Sequence, residues 1–389
     1  MIILTPSEAV KAAEAVYKIR DNVKVEAAFK EVSGASILLD QFALSDASRF
    51  TGRSGGLIFG SRTGFGVIAK GKGIHQNEAI VMLRGTDLRH IPDLLTDLNM
   101  GLQVSTTGKI VHAGFNQCYN SFASEVLGFL RQHNPSVVHC VGHSLGGALA
   151  TLVADAVSQY QAAQTYLYTF GSPRVGFDAF SQRLTAQVGA QQIFRVNHKT
   201  DVVPCIPLWP FSHVPQPGTE CYIESPGAMP GFTYHAIGSY GESVNNESWE
   251  ALRRAAPYVN PGQQIEAWLK SSASPVVFSV HTVFMIQAAL QYLLQKILHV
   301  AGIAFQASLG GGLTIMDQLA MILAKGVQAS KEIAAYVLSL MQRIASVVGC
   351  GFKAGTEMTL GFIRWVLSLL AQAVYNVART AVRMAHSGL

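Results

Sequence analysis

The sequence predicts an α/β fold with a mostly parallel sheet for residues 1–270 and an all-α region for residues 271–389. In the first part, short β-rich runs alternate with segments of helical period, which is typical of a parallel sheet covered by helices. In the second part, long Ala-, Leu-, Val- and Ile-rich runs replace that alternation. The Pro- and Ser-containing stretch Lys270 to Val276 separates the two parts and predicts a domain boundary.

The first part begins with a capped helix and continues with strands. Thr5 is predicted as the N-cap, Pro6 follows it, and Glu8 stands where a capping box requires it. From Leu57 to Gly85, short apolar runs alternate with glycine turns, as in strands of a sheet. Further strands are predicted at Val137 to Val141, Thr165 to Phe170 and Gln192 to Val196, and helices at Cys118 to Arg131, Leu145 to Tyr160 and Asp178 to Val188.

The second part predicts three long helices, at about 277–308, 314–348 and 357–386. The first carries a narrow stripe of Gln287, Gln291, Gln295 and His299, so the rest of its circumference requires burial. The region holds 8 Lys and Arg against 3 Asp and Glu, which accounts for the whole net charge of +5. These charges interrupt the apolar runs, so no clean membrane-spanning helix is expected.

Composition excludes several classes of protein. With 49% hydrophobic and 14% charged residues, the chain is a folded globular protein on the apolar side. Its five cysteines form no CxxC pair, which argues against a zinc–thiolate site and a disulfide framework and favours buried thiols. The N-terminus lacks the pattern of a cleavable secretion signal. No metal, cofactor or nucleic-acid partner is predicted.

The stretch "GHSLG" carries the chemistry. A β-rich run ends at Val141 and a helical pattern begins at Leu145, so G-x-S-x-G here predicts a nucleophile elbow with Ser144 exposed on a tight turn. A serine hydroxyl needs a histidine base and an acid that orients it. Asp201 follows a predicted strand and is the preferred acid. His198 is too near it in sequence, while spacing leaves both His213 and His235 open as the base.

The motifs around this elbow resemble the class 3 lipase family, which includes the fungal triacylglycerol lipases. The resemblance covers residues 55–242, a little under half of the chain. It rests on "VMLRGTD" (Val81 to Asp87), "VHAGF" (Val111 to Phe115), "TFGSPRVG" (Thr169 to Gly176), "FRVNHKTDVVPCIP" (Phe194 to Pro207), "FSHVPQPGTECYI" (Phe211 to Ile223) and "HAIGSY" (His235 to Tyr240).

The resemblance implies an α/β-hydrolase fold and assigns the site residues. Ser144 is the implied nucleophile, Asp201 the acid and His235 the base, while His213 takes a structural position. Thr86 and the backbone N–H of Leu145 are the implied oxyanion-hole donors. Residues 87–98 stand at the family's lid, where an apolar face is expected from Leu88, Ile91, Leu94, Leu95 and Leu98, although Pro92 departs from a plain helix.

The expected function is that of a serine lipid hydrolase, a lipase or phospholipase A1, acting through an acyl-enzyme on phospholipids or acylglycerols. The basic, apolar C-terminal region suggests contact with an anionic membrane surface. For residues 271–389 the alternatives are packing on the catalytic domain, self-association, membrane insertion, and burial by a chaperone or neutralising protein. Rival functions are a membrane-inserting or pore-forming protein with a carrier domain, and an esterase or acyltransferase acting on a soluble ester. Expected locations are secretion without a cleavable signal, membrane association or, failing these, the cytoplasm.

Overall fold

The structure is a computed structural model, and it describes most of the 389-residue chain. The described residues are 2–19, 23–54, 61–85, 101–160, 162–216, 218, 220–227, 229–254, 261–271, 276–301, 314–351 and 355–386. The predicted oxyanion residue Thr86 and the predicted lid, residues 87–98, lie outside these ranges.

A seven-stranded mixed sheet forms the centre of the α/β part, in the order β1-β2-β3-β6-β7-β9-β11. The first three strands are antiparallel neighbours, and the pairs from β3 to β11 are parallel. Its strands are β1 (Arg49–Ser54), β2 (Ser61–Lys70), β3 (Glu78–Leu83), β6 (Val137–His143), β7 (Gln164–Phe170), β9 (Ile193–His198) and β11 (Cys221–Ile223). A small antiparallel sheet consists of β4 (Leu102–Val104), β5 (Ile110–His112), β8 (Gly176–Phe177) and β10 (Phe211–Ser212).

Helices cover both faces of the central sheet. In the α/β part they are α1 (Pro6–Lys18), α2 (Val25–Glu31), α3 (Ile37–Gln41), α4 (Ala113–Asn120), α5 (Ala123–His133), α6 (Leu145–Tyr160), α7 (Asp178–Val188), α8 (Ile237–Val244) and α9 (Trp249–Arg254). Strand β3 shows why both faces need cover. Its residues Ile80 and Met82 belong to one apolar cluster with α1, and Val81 and Leu83 belong to a second cluster with α6.

These elements confirm the α/β-hydrolase fold with its mostly parallel sheet. The capping box that opens α1 forms as predicted, with Thr5 and Glu8 bonding reciprocally. One predicted helix is wrong, because the segment from Cys118 to Arg131 contains the end of α4 and most of α5. The chain leaves helical geometry between them at Phe122, which is fully buried and packs against Phe50 and Phe65.

The C-terminal region forms helices, as predicted, but with different bounds. Described there are α10 (Pro261–Lys270), α11 (Val280–Ala301), α12 (Ile315–Ala329), α13 (Lys331–Val347) and α14 (Leu360–His386). The single helix predicted at 314–348 is two helices. Ser330 has extended backbone angles and its side chain accepts a hydrogen bond from the Ile333 N–H, so it caps α13 rather than continuing α12.

The C-terminal helices share their core with the α/β part. One apolar cluster contains Leu145 and Val203 together with Leu293, Leu340 and Leu370 of the helices. Gln287, predicted as part of a polar stripe, is buried, and its Nε2 donates to the Cys205 carbonyl at 3.0 Å. The helices therefore cover part of the α/β domain rather than standing apart from it.

Two of these helices meet the length and composition of a membrane span, over Val280–Val300 and Leu360–Ala385. This differs from the expectation that charges exclude every such segment. In the structure, 44% and 39% of the two apolar segments are buried inside the protein. Packing within the bundle thus accounts for much of their apolar character.

Gly146→Ala should lower the melting temperature, because a Cβ at this position would lie 2.2 Å from the Leu83 carbonyl oxygen. Overpacking commonly costs about 1–3 kcal/mol, and a clash with backbone relaxes less than one with a side chain. Differential scanning fluorimetry measures the change. Gly361→Ala is the control, since that glycine is exposed and its Cβ would meet nothing within 4 Å. Equal melting temperatures for both variants and the unmodified protein would contradict the close strand–helix approach.

Candidate active site

The bend between β6 and α6 presents Ser144 in a left-handed backbone conformation, with φ of 54°. Such a φ is uncommon for any residue with a side chain and is held here by tight surroundings. A Cβ on Gly142 would lie 2.2 Å from the Gly146 carbonyl oxygen, so this position accepts only glycine. The two glycines of G-x-S-x-G thus allow strand and helix to meet with a single residue between them.

Ser144, His235 and Asp201 form one chain of hydrogen bonds. The His235 Nε2 lies 3.0 Å from the Ser144 Oγ, and its Nδ1 lies 2.8 Å from the Asp201 Oδ2. Asp201 follows β9, and His235 ends a short 3₁₀ turn, Phe232–His235, just before α8. The three side chains, far apart in sequence, therefore meet at the carboxyl ends of the parallel strands, as the sequence analysis expects.

The Asp201 carboxylate is held by donors on both oxygens. Its Oδ1 accepts from the Val203 N–H at 2.9 Å, and its Oδ2 accepts from the Tyr240 hydroxyl at 2.8 Å. Burial raises the pKa of Tyr240 well above its usual value, so this hydroxyl keeps its proton and remains a donor. Gly171, with φ of 54°, leaves the necessary room, since a Cβ there would lie 2.7 Å from Oδ2.

Tyr17 and His143 connect the site to the N-terminal helix, and sequence reasoning missed both. The His143 Nε2 lies 2.7 Å from the His235 carbonyl oxygen, and its Nδ1 lies 2.9 Å from the Tyr17 hydroxyl. That hydroxyl also accepts from the Gly85 N–H at 3.2 Å. The sequence offered one signal for His143: it occupies the variable position before the serine in G-x-S-x-G, and a polar residue there lies beside the base.

The two competing histidines lie apart from the Ser144 hydroxyl. His198 packs its ring edge against Tyr240 at 4.4 Å, and burial lowers its pKa to about 4. His213 lines a small polar cavity with Arg174 and Arg195. Burial holds the pKa of His213 well below its usual value. The geometry therefore favours His235 over both as the partner of Ser144.

The site is closed to solvent. Ser144 and His235 are 0% exposed and Asp201 is 2% exposed. Helix α14 packs on the Phe232–His235 turn, and both α11 and α14 contact the turn Val203–Cys205 that follows the acid. Substrate access thus requires movement of elements that cover the site, and the C-terminal helices are among them.

The backbone N–H of Leu145 opens helix α6 and belongs to the first turn, whose N–H groups have no partner within the helix. The positive end of the helix dipole lies at the same place, which favours a developing negative charge beside Ser144. The site itself contains one imidazole and one carboxylate. In the described part of the chain, the side chains grouped closely enough to hold a metal ion are His75, Glu78 and His139, at the opposite ends of the strands.

Comparison with known proteins shows which family the central part of the chain resembles. Residues 80–211 match the sequence model of lipase (class 3). A stretch of 158 residues is 35% identical to secreted mono- and diacylglycerol lipase 1 of Fusarium solani and covers 39% of this chain and 46% of that protein. A stretch of 155 residues is 34% identical to toxin TseL of Vibrio cholerae serotype O1 and covers 38% and 23% of the two chains.

The chloroplastic phospholipase A(1) DAD1 of Arabidopsis thaliana is 32% identical over 137 residues, which cover 32% of this chain and 30% of that protein. The chain thus spans less than half the length of each of these three relatives. Among solved structures, the Rhizomucor miehei triacylglyceride lipase aligns with 56% of this chain and 78% of its own, at 22% identity and a TM-score of 0.42.

The matched region contains the features that the geometry singles out. Residues 80–211 include the elbow at Ser144 and the carboxylate of Asp201, and His235 follows shortly after. Two of the relatives named above are lipid ester hydrolases by name. Over residues 80–211, the chain is therefore similar to the class 3 lipase family.

Proposed function

We propose that the protein hydrolyses carboxylic ester bonds of lipids through Ser144, His235 and Asp201. The observation that carries this proposal is the hydrogen-bond chain from the buried Asp201 carboxylate through the imidazole to a serine on a left-handed bend. Such an arrangement activates a hydroxyl that is otherwise a poor nucleophile. The match of residues 80–211 to the class 3 lipase family supports lipid esters over other acyl compounds.

In the first half of the proposed reaction, the Ser144 Oγ attacks the ester carbonyl carbon and His235 Nε2 takes its proton. Asp201 stabilises the imidazolium and keeps Nδ1 directed to itself. The tetrahedral oxyanion accepts a hydrogen bond from the Leu145 N–H at the helix N-terminus, and Thr86 is the proposed second donor. The C–O bond then breaks, His235 gives its proton to the leaving alcohol, and an acyl-enzyme remains.

In the second half, water attacks the acyl carbon while His235 accepts its proton. The collapse of the second tetrahedral intermediate releases the carboxylic acid and returns the proton to Ser144. Every group in this cycle is a protein side chain, a backbone N–H or water. The buried position of Asp201 matters here, because the low dielectric of a closed site strengthens the attraction between the carboxylate and the imidazolium.

Phospholipid is the proposed substrate, with acylglycerols as the second candidate. One relative is named a phospholipase A(1) and another a mono- and diacylglycerol lipase, so both classes lie within the family. The same relatives include proteins named as secreted, which supports action outside the producing cell. The excess of Lys and Arg in residues 271–389 favours the anionic surface that phospholipids provide.

One end of the C-terminal bundle offers a surface for such contact, which we call the apolar tip: Met321, Leu360 and Trp365. These side chains are 38%, 45% and 48% exposed. Helices α12 and α14, which carry these residues, pack against each other, and the Arg364 Nε of α14 lies 2.7 Å from the Asp317 Oδ1, one turn before Met321. Apolar side chains beside a cation suit the boundary between acyl chains and anionic head groups.

A second candidate function rests on the two helices that are long enough to span a membrane. In that case the α/β domain would serve as a carrier and the helices would insert into a target membrane. Because their apolar surfaces form one core with the α/β domain, insertion requires this core to open. The hydrolase proposal requires no such rearrangement and is therefore preferred.

Ser144→Ala and His235→Gln should each lower kcat on a long-chain phosphatidylglycerol by about 10⁴- to 10⁶-fold, because either change removes the activated nucleophile. Product analysis by mass spectrometry on mixed phospholipid vesicles gives the rates and the position of cleavage. His213→Gln is the control and should retain activity. Membrane damage that survives Ser144→Ala unchanged would favour the carrier-domain function, and equal losses from His213→Gln and His235→Gln would contradict the assignment of the base.

Tyr240→Phe should lower kcat/KM by about 10- to 100-fold, the range expected when a hydrogen bond to a charged group is lost. Without this donor the Asp201 carboxylate is held less firmly beside His235, so the loss should fall on kcat rather than on KM. Tyr234→Phe, close by on the turn that carries the base, is the matched control. A loss confined to KM, or an equal loss from Tyr234→Phe, would reduce Tyr240 to a packing role.

Replacing both Leu360 and Trp365 by serine should weaken binding to phosphatidylglycerol-containing vesicles by at least about 10-fold, because each buried apolar side chain contributes about 1.5–3 kcal/mol. Vesicle flotation measures the binding, and turnover of a short soluble ester should not change. The control replaces Ile37 and Ile74, which are 45% and 66% exposed on the α/β domain, by serine. Unchanged flotation would exclude the apolar tip as the lipid contact, and equal binding to neutral vesicles would exclude a role for charge.

A further inference from the structure

A cluster of His75, Glu78 and His139 lies at the end of the central sheet opposite Ser144. Glu78 begins β3, His139 lies near the start of β6, and His75 ends the turn that precedes β3. The two strands run parallel, with Ile80 opposite His139, so their amino ends hold the cluster and their carboxyl ends face the active site. The exposed fractions of the three side chains are 1%, 8% and 0%.

The three side chains converge on one point. The Glu78 Oε2 lies 2.5 Å from the His75 Nδ1 and 2.9 Å from the His139 Nε2, and all three atoms lie within 4.8 Å of one another. The second nitrogen of His139 lies 3.2 Å from the Tyr168 hydroxyl. Aromatic rings enclose the cluster, with Phe42 stacked on His75 and Tyr166 stacked on His139.

We propose that His75, Glu78 and His139 bind one Zn²⁺ ion. Two imidazole nitrogens and one carboxylate oxygen are the ligand set that zinc takes in three-coordinate protein sites, with water as the fourth ligand. In the described part of the chain, the ion-pair partners of Glu78 are the two histidines, and no Lys or Arg reaches its carboxylate. A divalent cation therefore supplies the positive charge that this buried carboxylate otherwise lacks.

The contact that the second nitrogen of His139 makes is also typical of a zinc site. The Tyr168 hydroxyl lies beside His139 Nδ1 and holds the ring with Nε2 directed to the cluster, as an outer partner does for a metal-binding histidine. Ligand atoms 2.0–2.2 Å from zinc in a tetrahedron are roughly 3.3 Å apart, so binding moves the Glu78 oxygen about 0.8 Å away from the His75 nitrogen and about 0.4 Å away from the His139 nitrogen. The ion links the turn at His75 and strand β3 to strand β6, and it stabilises the sheet without taking part in ester hydrolysis.

The test measures zinc in the full-length protein after removal of any affinity tag. Protein dialysed against micromolar zinc and then against metal-free buffer should retain about one zinc per chain by mass spectrometry, and its melting temperature should fall when a chelator removes the metal. Tyr168→Phe should weaken zinc binding by about 10- to 100-fold in a competition assay with a chromophoric chelator. Glu78→Gln should weaken it at least as much, with manganese bound more weakly than zinc throughout.

Two control variants separate zinc binding from general damage. Tyr119→Phe removes another buried tyrosine hydroxyl, and His133→Gln removes a histidine on α5, so neither should change the zinc content. Folded protein that takes up no zinc would overturn the proposal and leave the cluster as a hydrogen-bond network with Glu78 as the shared acceptor. Retained zinc that is unaffected by both Glu78→Gln and Tyr168→Phe would overturn it as well, since the ion would then bind elsewhere.

Discussion

The structure depends on the contact between strand β6 and helix α6 across a single residue. Ser144 occupies a left-handed conformation because Gly142 and Gly146 let the two backbones approach where any Cβ would collide. This contact directs the Ser144 hydroxyl away from the sheet and aligns the first turn of the helix behind it. The other groups of the site, Asp201 after β9 and His235 after β11, are arranged around that fixed position.

The C-terminal helices have a larger part in the active site than their separate composition suggests. They share one apolar cluster with the α/β domain, and α14 packs directly on the turn that carries His235. Gln287 is an example: the sequence predicts it in a polar stripe, but in the structure it is buried and donates to the Cys205 carbonyl. The region therefore acts as a wall of the site.

Much of the fold could be predicted from the sequence because the spacing of apolar residues and the placement of glycines are local signals. The strand before Ser144, the helix after it and the capping box at Thr5 all follow from short stretches. The break at Ser330 could not be predicted, since a serine in an apolar helical run serves equally as an interior residue or as a cap. The division near Phe122 likewise depends on aromatic packing with residues far away in sequence.

The choice between His213 and His235 as the base could not be made from local sequence signals either. Both follow Asp201 at plausible distances, and only the fold, or a resemblance to a family, separates them. Tyr17 and Gly171 carried no local signal. Tyr17 acts through its hydroxyl on His143, and Gly171 acts by having no Cβ beside Asp201, and both partners are distant in the chain. Cooperation of this kind is visible only once the three-dimensional neighbours are known.

The packing of α14 against the Phe232–His235 turn makes the C-terminal helices inseparable from the rest of the protein. A helical region borrowed from another family member would have to reproduce this interface before the imidazole could take its place beside the serine. Changes in the helices and in the turn are therefore expected to arise together in evolution, and domain exchange between relatives should fail unless both sides of the interface are transferred.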